Sequence, residues 1–306
     1  MTLSYDQVSA ITEKYYVKKL NDNIFDSNPY LRRVKDKSLV MIDGGTSVMV
    51  ELEYAINGAG GWYSGADTLD TSDTEIITAA DYTLKQIYEN ISIKRSDELK
   101  NSGDAQKLSL VKSKIKNAEK SMQDRLGTGV YSDGTVAKSI VGLRDFCAVD
   151  QTVGGISQST YSWWQSNLDS STTVTSMSAL QTQFEAATVD NQAPTVGLTT
   201  RAILGYYYSL LQPQQRFTDS DTARGGFSSL MFNGVPIIAD SHCPSSHLFF
   251  VNEDVVKLYA HKDEWMRFRP FQEPDDQNVR TAKIFSMCAF TSGNNRLLAC
   301  LSALAS

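Results

Sequence analysis

The sequence predicts an α+β fold in one large domain or two moderate ones, and three observations carry that expectation. An alternating strand from Val48 runs into a glycine-rich arm, a long one-faced helix covers 104–126, and the last third is a series of short apolar strands. With 306 residues, 41% hydrophobic and 21% charged, the chain has the composition of an ordinary globular protein with a large core. Its formal net charge of −6 argues against a chain whose main task is gripping nucleic acid, while leaving room for a local basic face. Cys147, Cys243, Cys288 and Cys300 form no close pair and no CxxC, which predicts a reduced setting. Met1 to Lys19 has no signal-peptide pattern, and the longest apolar runs fall far short of a membrane span. The expectation is a soluble intracellular product.

Residues 1–37 read as a mixed arm in which Tyr15, Val17, Leu20, Ile24 and Phe25 are scattered and Asn28-Pro29 is a breaker. The run YLRRVKDK follows, with Arg32, Arg33, Lys35 and Lys37. It reads as a contact for nucleic acid or an acidic neighbour, or, because Asp22, Asp26 and Asp36 dilute it, as a solvated polar segment. Val48, Val50, Leu52 and Tyr54 then alternate with Met49, Glu51 and Glu53, the period of a strand with one covered face. The strand runs into Asn57, Gly58, Gly60, Gly61 and Gly65, with Trp62 and Tyr63 among the glycines. Aromatic side chains on so flexible a segment have little local surface to bury against, so they mark an assembly device. Ile76 to Ile93 reads as the returning strand. The tip of this hairpin carries Asp67, Asp70, Asp73 and Glu75, which suit a hard cation, solvated loop charges or salt bridges across a subunit boundary.

Leu108, Val111, Ile115, Ala118, Met122 and Leu126 share one face of the helix predicted over 104–126, with Asp104 as N-cap and Gly127 as C′ residue. Lys107, Lys112, Lys114, Lys116, Lys120 and Arg125 occupy its other sides, a back turned to solvent or to a polyanion. Beyond it, Val141–Phe146 is a short apolar segment and Trp163-Trp164 a local anchor in a Ser/Thr-rich stretch. A helix over 177–187, a buried strand over 193–198 and a third helix capped by Thr199 or Thr200 and stopped by Pro213 make an α+β unit. A polar loop over 218–226 leads to FNGVPIIAD, with a turn at Asn233-Gly234, then HLFFVN, the alternating run 265–271, and strands over 282–291 and 296–303.

Chemistry has few footholds. There are three histidines, and no GxSxG, Walker loop, HExxH or complete GxGxxG. His242, Cys243 and His247 offer three possible ligands within six residues, but no fourth at zinc spacing, and a loop at a strand end explains them equally well. Cys147 as a nucleophile lacks a local base. No catalytic residue, metal or cofactor is assigned. The rival from another class is a cytosolic enzyme working through Cys147 or the His242-Cys243-His247 loop.

Taken in order, NPYLRRVKDK, GGWYSGADTLDTS within alternating strands, KNAEKSMQDRLGTGVYSDG, IVGLRDF with the Trp163-Trp164 segment, and MFNGVPIIAD with HLFFVN resemble the tailed-bacteriophage major capsid proteins of the Hong Kong 97 type over nearly the whole chain. The resemblance implies a Hong Kong 97-like capsid fold: N-terminal arm (1–43), extended E-loop hairpin and flanking strands (44–93), spine helix and part of the peripheral domain (94–150), axial domain (151–252) and return strands of the peripheral domain (253–306). It implies a structural protein that self-assembles as hexamers and pentamers into the icosahedral head enclosing double-stranded DNA, in the host bacterial cytoplasm. An encapsulin-like nanocompartment shell is the alternative. Implied partners are further copies of the chain, a portal, scaffold or decoration proteins, and DNA bound without sequence preference, with no membrane. The E-loop contact falls on Trp62, Tyr63, Asp67 and Asp70, and an inward basic surface on Arg32, Arg33, Lys112 and Lys116. Because no lysine lies between Ser38 and Leu84, the Lys–Asn cross-link of the family's type member is not expected. Because the arm-like segment begins at once, a scaffold supplied as a separate chain, or none, is expected.

Overall fold

The computed structural model describes residues 28–72, 74–100, 104–174, 176–211, 229–274 and 277–304. The expectations for Tyr15 to Phe25, Asp73, Pro213 and the 218–226 loop lie outside the described residues.

Helix α1 (Pro29–Lys37) opens the described chain. Asn28 Oδ1 accepts from the amides of Tyr30 and Leu31 at 3.0 and 3.1 Å, and Pro29 occupies a first-turn position where its missing N–H costs nothing. Asn28-Pro29 therefore starts a helix rather than breaking the chain. Tyr30, Leu31 and Val34 are buried, so this segment is one-faced and not a solvated run.

Strand β1 (Leu39–Ile42) is followed by β2 (Ser47–Glu53) and β3 (Ile77–Thr83), which pair antiparallel from Ser47↔Thr83 to Glu53↔Ile77. The return strand expected over 76–93 is two strands. At buried Leu84 the chain leaves the hairpin, and β4 (Lys85–Lys94) pairs elsewhere. Helix α2 (Arg95–Lys100) leads to the long helix α3 (Asp104–Val130). Val111, Ile115, Ala118, Met122 and Leu126 are buried along one stripe, as the spacing predicts, and α3 packs on β4. It runs three residues past Gly127, the expected stop. Gly127 is there for space: a Cβ would meet His242 Cγ and Nδ1 at 2.8 Å.

Helix α4 (Leu143–Phe146) and the two-residue strands β5 (Thr152–Val153) and β6 (Ile156–Ser157) precede β7 (Asn167–Asp169). Then come α5 (Met177–Ala186), capped by Ser176, β8 (Val196–Thr199) and α6 (Arg201–Leu210), capped by Thr200. β9 (Ser229–Phe232) and β10 (Val235–Ala239) meet at Asn233 and Gly234, whose φ values of 47° and 80° make the two-residue turn that suits a hairpin. The rest is β11 (Leu248–Val251), β12 (Val256–His261), β13 (Arg267–Gln272), β14 (Val279–Ser292) and β15 (Ala299–Leu301).

Two sheets organise these elements. In the first, the 14-residue β14 pairs with β4 from Val279 to Cys288, with β13 from Thr281 to Phe285 and with β12 from Cys288 to Ser292, and β1 joins β12 in parallel. The second runs β7-β15-β11-β8-β10-β9. β15 thus lies in the second sheet, apart from β14. One apolar core joins α1, α3, α4 and the first sheet through residues such as Met122, Phe146 and Phe290. The other lies under α5 and α6, around Leu180, Tyr207 and Phe250.

Candidate assembly surface

Among the described residues, the arm between β2 and β3 is exposed along nearly its whole length. Trp62 is fully exposed (107%), as is Ile56 (92%), and Tyr63 and Leu69 are exposed with them. Met49 and Ile77 add apolar surface on the outer face of the hairpin. The glycines that surround Trp62 supply no packing, and a Cβ at Gly58, Gly60, Gly61 or Gly65 would meet nothing. Several large apolar side chains exposed on one segment mark it as a candidate interaction surface.

The arm's carboxylates serve its own turns. Asp67 Oδ2 accepts from the amide of Ser64 at 2.9 Å, and Asp70 Oδ1 from that of Ser72 at 2.9 Å. The amide of Ser72 holds the exposed Asp70 carboxyl below the usual range. Both acids are exposed, so they fix local bends and still present negative charge outward.

The base of the arm is tied firmly to the body. Tyr54 stacks on Trp163 with ring centroids 4.9 Å apart, the Tyr82 hydroxyl donates to the carbonyl of Ser292 at 2.9 Å, and the Asp81 amide donates to the carbonyl of Gly154. Gly154 has φ 59°, and a Cβ there would lie 2.6 Å from Ala80 Cβ. Trp164, buried next to Trp163, donates Nε1–H to the carbonyl of Val153. The tryptophan pair is an anchor, with Trp163 supporting the arm.

The four residues expected on a basic surface differ in their surroundings. Arg33 faces inward: its Nε and Nη2 donate to both oxygens of buried Glu253 at 2.8 Å, and Lys37 Nζ adds a third contact at 3.1 Å. Burial pushes the Glu253 carboxyl up, but Arg33 and then Lys37 outweigh it and hold the group below the usual range. Arg33 is therefore part of the lock between α1 and the chain after β11. Lys112 and Lys116 are exposed on the outer face of α3, and Arg32 is half-buried on α1.

The second polar junction centres on Asp240, which the sequence showed only at the end of a strand, and His242, one of the three candidate ligands. Buried Asp240 accepts from the Tyr131 hydroxyl at 2.9 Å and the His242 amide at 2.9 Å, and His242 Nε2 meets Asp124 at 3.0 Å. His247 stacks on Phe249, with centroids 5.6 Å apart, instead of joining His242. Among the described residues no group of His, Cys, Asp or Glu is arranged to hold a metal ion. All four thiols are buried; desolvation pushes Cys147 and Cys243 up, and Cys288 and Cys300 to about 12. Cys147 is therefore a protonated core residue, not an activated nucleophile. Among the described residues no helix is long and apolar enough to cross a membrane.

No family model and no curated protein matches the chain in sequence. In structure the chain is similar to the capsid asymmetric unit of cyanophage A-1(L), with a TM-score of 0.64 at 14% identity, over 87% of this chain and 90% of that one. The capsid of a native GTA particle matches with a TM-score of 0.62 at 12% identity, over 90% of each chain. The SrpI encapsulin of Synechococcus elongatus PCC 7942 matches with a TM-score of 0.60 at 12% identity, over 90% of this chain and 87% of that one. The chain has the α+β fold of phage capsids, a shell-forming architecture that encapsulins share.

Proposed function

We propose that this chain is the major capsid protein of a tailed bacteriophage, a non-catalytic subunit that assembles as hexamers and pentamers into the icosahedral head around double-stranded DNA. The observation that carries this is the arm. A capsid-type fold projects Trp62, Tyr63, Leu69 and Ile56 into solvent from a base held by Trp163, Tyr82 and Gly154. A rigid root with apolar ends suits docking on a second copy, where aromatic anchors supply most of the binding energy. The exposed lysines of α3, Lys112 and Lys116, suit contact with packaged DNA through its phosphates, without sequence preference. A portal and a separate scaffold or decoration protein complete the partners, and assembly takes place in the host bacterial cytoplasm. The encapsulin match favours a second reading, a compartment that encloses protein.

Electron microscopy of particles purified after expression, with the nuclease-protected content analysed, tests both. Closed shells with protected DNA when the phage genes are supplied support the first reading. Shells that copurify with a defined protein cargo support the second, and failure to form shells under any condition refutes both.

A further inference from the structure

His242 joins three elements at one ring. Its Nδ1 lies 2.8 Å from Asn28 Nδ2 at the start of α1, and its Nε2 lies 3.0 Å from Asp124 Oδ1 on α3. The ring itself rests against Gly127, where a Cβ would not fit. The orientation of Asn28 is not free. Its Oδ1 is committed to the amides of Tyr30 and Leu31, so its NH2 must face the histidine. An NH2 group only donates, so Nδ1 must offer a lone pair, and the remaining proton sits on Nε2, pointing at Asp124. The arrangement therefore requires a neutral imidazole in one tautomer.

A second proton goes on Nδ1, and the contact with Asn28 then sets donor against donor. Asn28 cannot turn over without uncapping α1. The new N–H has an acceptor instead in Asp240 Oδ1, 3.4 Å from Nδ1, which also receives Asn28 Nδ2 at 3.3 Å and the His242 amide at 2.9 Å. The protonated ring thus removes one of Asn28's two partners and competes for the other. We propose that His242 is a proton-operated latch: neutral, it holds Asn28 and the first turn of α1 against the end of α3, and protonated, it releases them.

The surroundings favour proton uptake in an accessible range. The hydrogen bond to Asp240 raises the ring's pKa above the ordinary 6.5, burial draws it back, and Asp124 raises it again. The other groups around the ring are the Tyr131 hydroxyl on Asp240, the Ser241 hydroxyl, and buried Cys243. Lys85, Arg125, Lys138 and Arg144 line the cleft of about 750 Å³ that His242 also borders, and Asp133 lines it on the opposite side of the charge balance. Of these, Arg125 is bound by Glu89 and Arg144 by Asp133. The two consequences of protonation have opposite signs. A raised folded-state pKa adds global stability below the unfolded value, lost as pH rises through the folded one, while the local hold on α1 weakens on acidification.

Hydrogen exchange of the full chain, corrected for intrinsic rates, tests this with the His242 ring titration followed by NMR. Between about pH 8.5 and about pH 5.5, exchange at Tyr30 and Leu31 is expected to rise roughly fivefold, the equivalent of one lost hydrogen bond. The rise should follow the ring's own titration. In Asn28→Asp the cap survives, since Asp caps as well as Asn, and the new acceptor suits the protonated ring. The pH response of Tyr30 and Leu31 should then reverse. His242→Gln should abolish it. Equal protection on both sides of the titration in the wild-type chain, or the wild-type response retained in Asn28→Asp, would overturn the proposal, and both readings stand even if His242→Gln does not fold.

Discussion

Glu253 shows how a single buried charge organises this subunit. It sits after β11, almost without solvent, and is kept ionised by Arg33 and Lys37 from a helix more than two hundred residues earlier in sequence. Thr195 adds a hydroxyl donor at 3.1 Å. Removing one partner of such a group leaves the charge uncompensated, which costs more than the intact pair contributes. Arg33→Ala is therefore expected to destabilise the subunit by on the order of 3 kcal/mol, read by urea unfolding, with Lys37 keeping it from the upper end of that effect. Because the folded-state pKa of Glu253 is depressed, its contribution is present above the unfolded value near 4.5 and is lost as pH falls through the folded one. The wild-type chain should lose stability over that acid window, and Glu253→Gln should flatten it. Trp62 is the opposite case, with no contact to lose in the isolated subunit. Trp62→Ala should leave subunit stability within about 0.5 kcal/mol and impair shell formation, since each docked ring contributes roughly 1.5–3 kcal/mol. Normal particle yield and heat stability in that variant would remove Trp62 as an anchor.

At the scale of elements, the legible parts of the sequence were those with a strong local period. The stripe Val111-Ile115-Ala118-Met122-Leu126, the alternation from Val48 to Leu52, the cap expected at Thr199 or Thr200 and found at Thr200, and the Asn233-Gly234 turn each follow from local geometry and appear where the residues place them. What stayed hidden depends on residues far apart. Asn28-Pro29 signals both a break and a helix start, and only the burial of Tyr30, Leu31 and Val34 against the core decides between them. The split of the return strand at Leu84 depends on β14, two hundred residues later, offering β4 an edge. Arg33 reads as surface charge until Glu253 is found beneath it. Asp67 and Asp70, by contrast, were legible as exposed arm charges, while their turn-forming bonds were not. The arm's root gives an element-scale prediction. Gly154 combines a positive φ with a Cβ position 2.6 Å from Ala80, so Gly154→Ala must displace β3. A loss of about 1–3 kcal/mol is expected, measured by thermal unfolding, together with misshapen or fewer shells because the arm leaves at a different angle. Unchanged stability would show that β3 yields freely there.

On the scale of the whole molecule, a rigid two-sheet body with a projecting arm suits repetition better than a single strong contact. Each docked arm adds a modest interface, and closure of a symmetric shell makes later contacts form at high effective concentration. Such a shell needs no covalent reinforcement, and the arm lacks the means for the lysine–asparagine type. An isopeptide bond requires an amine nucleophile facing a neighbour's amide, with a carboxylate to take up the proton. From Ser38 to Leu84 the chain has carboxylates in plenty and no lysine at all. Lys85 stands beyond the hairpin, half-buried at the start of β4, where it borders the cleft beside α3 rather than the exposed arm. On the proposed reading the interface would be held by apolar burial and hydrogen bonds, both of which boiling detergent dissolves. Particles boiled in detergent should therefore run on a denaturing gel as one band at the 33.8 kDa chain mass. A ladder of covalent multimers would mean that a lysine outside the arm reaches a neighbouring subunit.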